Sequence, residues 1–187
     1  MLINITQARD LVKKYLQDHN NQIHSRESEV VLRALAQALG ENEEVWGLAG
    51  LLHDLDWEQT SSDWPQHGIK TMVILESEGY EIPAEAAHAI SAHNEMHTGV
   101  KRESKLDYAL AAGESVTGLI YAYALMRPEK LVGLSASSLN KKFKDTKFAA
   151  NVSRALINDI EKTGLEKSKF FEIAIGAMTA IASEIGL

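Results

Sequence analysis

The sequence contains no cysteine. That absence excludes disulfide staples, cysteine-based zinc knuckles and a thiol nucleophile, and it is compatible with a cytoplasmic location. Basic charge is also scarce. Lys and Arg number 19 against 26 Asp and Glu, a net charge of −7, and no long basic run offers a track along a phosphate backbone. Bulk nucleic acid is therefore not an expected partner. No segment shows the β-branched alternation of a half-buried strand, and there is no internal repeat, low-complexity tract or linker. Nothing resembles a catalytic serine, a phosphate-cradling glycine loop or a nucleotide-binding strand-turn-helix. The opening "MLINITQARDLVKKYLQDHN" reads as an amphipathic helix without the basic-then-apolar layout of a secretion signal. One run, Leu106 to Met126, approaches the length of a membrane span, yet Glu114 near its middle would cost about 2.5 kcal/mol or more at the bilayer centre. It reads instead as the central helix of a core, and no membrane association is expected.

What is present is helical periodicity almost everywhere. Apolar residues recur at helical spacing from Ile5 to Leu16 and from Val30 to Leu39, where Gly40 supplies a stop and Asn42 a cap for the next helix. Pro65 and Pro83 open two further helices, Pro128 follows the central one, and helices over about 148–162 and 167–185 complete the chain. A length of 187 residues suits one domain. The reading is an all-α, single-domain helical bundle over 1–187, with roughly seven to nine helices. Its motif-bearing core spans about 20–127, and C-terminal helices over 136–187 pack on it. The apolar last segment, "FFEIAIGAMTAIASEIGL", packs either in that core or against a twin subunit, so a homodimer is an open expectation.

"LAGLLHDLDWEQ" places His53 and Asp54 side by side at the end of an apolar helix. A buried carboxylate is unfavourable unless paired or coordinated, and imidazole with carboxylate is a ligand set for first-row divalent metals. Helical phase finds further candidates. His24 shares a face with Val31, Leu35 and Ala38, and His93 lies in phase with Ile82, Ala86 and Ile90. His67 precedes Gly68, which admits a close neighbour. Glu114, inside the central helix, fits as the carboxylate that closes the set. His88 faces elsewhere, and His19 and His97 receive no role. Asp56 and Glu58 are either solvated or orient ligands from behind. Asp107 is a weaker substitute for Glu114, near the exposed start of its helix.

His24, the doublet His53 and Asp54, and the distal acid in "ALAAGESVTGLI" resemble the signature of the HD-domain superfamily of metal-dependent phosphohydrolases. The tail "LNKKFKDTKFAANVSRALI" is similar to small bacterial and archaeal members of its HD or HDIG-type branch. The resemblance implies an HD-type helical bundle and a divalent metal site of one or two ions, with Fe, Mn, Zn, Ni, Co and Mg not distinguished. It implies that His24, His53, Asp54 and Glu114 bind metal and that His67 and His93 match the histidines that hold a second ion. The alternative for His67 and His93 is a direct role on the substrate phosphate. Asp54, His67 and His93 are thereby the catalytic candidates, with Asp54 the ligand common to both ions. Glu114 stands where the family usually has aspartate, one methylene further from its backbone.

A metal-bound water would attack a phosphate ester of a small metabolite, a nucleotide or a phosphodiester. Arg154, on an apolar helix, is a candidate to grip that phosphate with two parallel bonds, and Lys142 in the basic connection is a second. Two other readings stay open. One is a non-catalytic metal- or ligand-binding regulatory module, and the other is a di-iron oxygenase. Trp57 and Trp64 either line a pocket or pack, and Trp46 packs.

Overall fold

Short polar side chains start the long helices. Asn4 and Gln7 form a reciprocal capping box ahead of α1 (Ile5–Tyr15), Asp18 caps α2 (His19–Leu39), and Asn42 accepts two amides at the start of α3 (Glu43–Leu52). Gly40, at φ +71°, ends α2 in the left-handed region that glycine enters without strain. Then follow α4 (Trp57–Thr60), a 3-10 turn over Trp64–Gln66, α5 (Ile69–Ser77), α6 (Ala84–His93) and α7 (Glu95–Thr98). Ser104 and Asp107 box the start of the central α8 (Lys105–Leu125), and Ser135 caps α9 (Ala136–Lys144). The chain finishes with α10 (Arg154–Asn158), a 3-10 turn over Asp159–Thr163, and α11 (Lys167–Ala180). The computed structural model describes residues 1–187, with no strand and one isolated bridge between Leu2 and Glu81.

At the centre, α2 packs on α3 and α8, α6 lies against α3 and α8, and α11 covers α2 and α9. The α2–α3 contact is close because Gly50 has no side chain: a Cβ there would stand 2.6 Å from the Ser28 carbonyl oxygen. One apolar core runs from Ile3 to Ile185 and takes in Leu32, Leu52, Leu110, Leu119, Phe170 and Phe171. Full burial of each such side chain is worth roughly 1.5–3 kcal/mol. Glu29 is also fully buried, within 2.7 Å of Arg9, 2.9 Å of Arg26 and 3.2 Å of Arg33. No helix is long and apolar enough to cross a membrane.

The bundle differs from the sequence reading in several places. It has eleven α-helices rather than seven to nine, because α4 and α7 are single turns and α10 is little more. The helix expected over 148–162 breaks: Ala149 sits at φ +44° in a turn, and regular structure resumes only at Arg154. The last helix ends at Ala180, not Ile185. Its apolar face, with Phe170, Phe171, Ala174 and Met178, is buried within the chain itself, which removes the ground on which a twin subunit was expected. Asp107 is not at an exposed helix start. It is fully buried, accepts the amides of Glu103 and Ser104, and meets His88 Nδ1 at 3.1 Å.

Candidate metal centre

Five segments bring the candidate ligands together. His24 sits in the second turn of α2, His53 and Asp54 where α3 ends, and His67 in the bend before α5. His93 closes α6, and Glu114 lies mid-way along α8. Gly68 allows the bend at His67: its φ is +87°, and a Cβ there would stand 2.6 Å from the Ile90 carbonyl oxygen. The loop therefore lies directly against the end of α6.

Every imidazole is oriented from behind. Nδ1 of His53 lies 2.8 Å from the Gly50 carbonyl oxygen, and that of His93 lies 2.5 Å from the Ile90 carbonyl oxygen. A carbonyl only accepts, so Nδ1 donates, and a neutral ring then presents a bare lone pair at Nε2. The Thr117 hydroxyl donates to the Glu114 carbonyl at 2.7 Å, which leaves it to accept from His24 Nδ1 at 3.2 Å. Asp56, fully buried, accepts from His67 Nδ1 at 2.8 Å through one oxygen, and from the amides of Gly68 and Thr71 at 2.8 and 2.9 Å through the other.

The Nε2 atoms consequently face one another. His24 and His53 approach to 3.2 Å, and His67 and His93 to 3.1 Å. Asp54 Oδ1 stands 3.4, 3.2 and 3.6 Å from Nε2 of His53, His67 and His93, and its Oδ2 stands 3.8 Å from His24. Glu114 Oε2 is 3.9 Å from His24 Nε2, while the Ser115 hydroxyl donates to Oε1 at 2.7 Å. Two groups of three could each hold an ion: His24, His53 and Glu114, and Asp54, His67 and His93. Donors bound at about 2.1 Å to one ion lie roughly 3.0–3.4 Å apart at octahedral or tetrahedral angles. The two histidine pairs and the contacts of Asp54 with His53 and His67 fall in that range, whereas Asp54 stands 3.6 Å from His93 and 3.8 Å from His24, and Glu114 stands 3.9 Å from His24. A divalent cation between such donors would satisfy them together.

The electrostatics agree with a site built for positive charge. Burial pushes Asp54 up, but the His53 imidazole and the contacts with His67 and His93 outweigh it and hold the carboxyl well below the usual range. Burial takes His53 down to about 3 against the pull of Asp54. For His67 burial also pulls downward, yet hydrogen bonds with Asp54 and Asp56 prevail and raise it to about 9. Burial raises Glu114, opposed by the neighbouring His24 imidazole.

Around this centre lies a cleft of about 440 Å³, lined also by Trp57, Trp64 and Asn94 and by Asn151, Val152, Ser153 and Leu156. No lysine or arginine lines it. Lys142 packs its ammonium over the Tyr123 and Phe148 rings, 5.5 and 4.9 Å from their centroids. The phosphate-gripping role expected for Arg154 also gives way. Its guanidinium donates to the carbonyls of Phe143, Asp145, Phe148, Ala149 and Val152, so its hydrogen-bonding capacity is taken up by the loop that carries Asn151. His88 is held by Asp107 away from the centre, and His97 lies against Trp64 with ring centroids 5.3 Å apart. Glu58 accepts the Asp18 amide at 2.8 Å, and Trp46 is buried. Sequence reasoning missed Thr117, although its place one turn after Glu114 on the same face was readable. It also missed Asn94, Asn151 and Ser153, which no local pattern marks.

A protein-family model for the HD domain matches residues 22–124, a span containing all six clustered residues. The chain belongs to the HD domain family. HD-domain proteins are generally metal-dependent phosphohydrolases. In this HD domain the matched span runs from α2 to α8, so the wall formed by Asn151, Val152, Ser153 and Leu156 lies outside it. No curated protein and no solved structure matches the chain.

Proposed function

We propose that this HD-domain protein hydrolyses a phosphate ester at a two-ion centre. His24, His53 and Glu114 hold one divalent ion, His67 and His93 the other, and Asp54 contributes to both. The convergence of two three-residue donor groups carries this reading: the Nε2 atoms of His24 and His53 and of His67 and His93 stand 3.2 and 3.1 Å apart beside the carboxylates of Asp54 and Glu114, where a divalent cation would satisfy them together. Bound ions lower the pKa of water toward neutrality and offset charge on the phosphoryl oxygens.

The protein's own groups do the rest. Thr117, Gly50, Asp56 and Ile90 fix the four rings, so the ligands need no reorganisation when substrate arrives. Trp57 and Trp64 shield one side of the centre from water, and Asn94, Asn151 and Ser153 offer neutral hydrogen-bonding groups to the ester. Because no Lys or Arg lines the cleft, the charge of the phosphate has to be met at the ion-binding end.

The test is inorganic phosphate release from a panel of phosphomonoesters and phosphodiesters, with manganese, iron, zinc, nickel, cobalt or magnesium supplied in turn. Release that a chelator abolishes, and that Asp54→Asn lacks, is the expected result. Metal uptake without release from any ester contradicts it. Oxygen consumption by the iron-loaded protein would then favour the oxygenase, and ligand binding without turnover the regulatory module.

A further inference from the structure

One turn beyond His24, α2 carries a carboxyl group with no role at the metal centre. Glu27 is 3 % exposed, and its Oε1 has no hydrogen-bond partner. Two residues on, Glu29 is as deeply buried but is met by three guanidinium groups. The same helix thus carries one buried carboxylate that Arg9 of α1 and its own Arg26 and Arg33 compensate, and one that is left alone. Burial by itself pushes Glu27 up to about 8, with no charge or hydrogen bond opposing it. Nor does Glu27 belong to either group of potential metal ligands.

Glu27 lines a groove of about 270 Å³ with Asn20, Ile23, Tyr121, Ala122 and Leu125. Two more residues, His24 and Gly118, line both this groove and the metal cleft, so the two adjoin. At Gly118 a Cβ would meet only a methyl of Val152, at 3.3 Å, and the glycine keeps the crossing low. The groove holds one carboxyl group, one imidazole, one tyrosine ring, one amide and no lysine or arginine. A carboxyl and an aromatic face both attract a cation, and an apolar stem suits Ile23, Ala122 and Leu125.

We infer that the groove binds the primary ammonium end of a ligand whose phosphate lies in the metal cleft, with Glu27 as its counter-ion. The substrate class is then the phosphate ester of a short amino alcohol. An ammonium supplies both the charge and the hydrogen-bond donors that the chain itself does not provide to Glu27. The substrate class rests on the hydrolase reading above; the ammonium site can be read without it.

The experiment has two arms on the full chain. In the first, butylammonium chloride is titrated at neutral pH and followed by NMR at the amides of Asn20, Ile23, Glu27, Gly118 and Tyr121, with butanol as the uncharged control. Saturable shifts are expected for the ammonium and not for the alcohol, with binding weakened at least roughly tenfold in Glu27→Gln. Equal binding to wild type and Glu27→Gln, shifts matched by butanol, or no saturation overturns the site. Unchanged metal content and a melting temperature no lower than that of wild type exclude a failure to fold.

In the second arm, the manganese-loaded protein is given aminopropyl phosphate and propyl phosphate. A kcat/KM preference of about tenfold for the amine is expected, lost in Glu27→Gln. Ammonium binding without hydrolysis of either ester leaves the groove standing and contradicts the hydrolase. Equal hydrolysis of both without ammonium binding contradicts the groove alone.

Discussion

Asp56 shows how a residue can control the centre without touching an ion. Its carboxylate holds His67 through Nδ1 and is itself fixed by two backbone amides. Asp56→Asn should weaken metal binding about 10- to 100-fold, measured by competition with a chelator of known affinity, because the ring loses its charged support. Unchanged affinity would mean that orientation from behind contributes nothing. Glu27 gives a prediction of a different kind. It ionises at about 8 in the fold and near 4.5 unfolded, so its stabilising contribution is whole below 4.5 and is lost as pH rises through about 8. Glu27→Gln has no proton to lose and should gain on the wild type across that window, by at most about 1.4 kcal/mol per pH unit. Parallel stability curves in denaturant titrations would contradict this. At this scale the inward direction of His24 and His93 was legible, because histidines in helical phase with apolar residues point inward, while the set of all six was implied by the resemblance to the HD-domain family. Arg154 was misread, since a sequence shows that a guanidinium is available but not that five carbonyls of its own loop claim it.

Among the elements, the approach of α2 to α3 sets the position of both His24 and His53. Gly50→Ala places a methyl 2.6 Å from a backbone oxygen of α2, whereas at Gly113 the neighbour at 2.6 Å is the flexible tip of Leu32. Overpacking costs about 1–3 kcal/mol, and roughly 2–4 °C per kcal/mol is expected for a chain of this size. Gly50→Ala should therefore lower the melting temperature more than Gly113→Ala; the reverse order, read by calorimetry, would contradict the packing argument. The loop between α9 and α10 is held in a similar way, by one side chain. Arg154→Lys leaves three donors for five carbonyls, and KM should rise roughly three- to tenfold with metal content unchanged. A matching loss of metal would assign Arg154 to the centre instead. The long helices were readable from their caps and periodicity. The single turns α4 and α7 were not, because four residues carry no period.

For the molecule as a whole, a net charge of −7 and a cleft without lysine or arginine mean that the anionic substrate proposed above would have to be received at the candidate metal centre. The apolar core from Ile3 to Ile185 holds the six candidate ligands on five separate helices and bends, so their spacing depends on the packing of the entire bundle. What the sequence could not convey was this assembly: which loop closes the cleft, and where the last helix buries its apolar face. The most direct measurement is elemental analysis of protein purified without added metal or chelator, in wild type and His67→Ala side by side. About two divalent ions per chain in wild type, falling to about one in the variant, is predicted from the two facing histidine pairs. No bound metal, with no uptake of added manganese, iron or zinc, would contradict the centre described here.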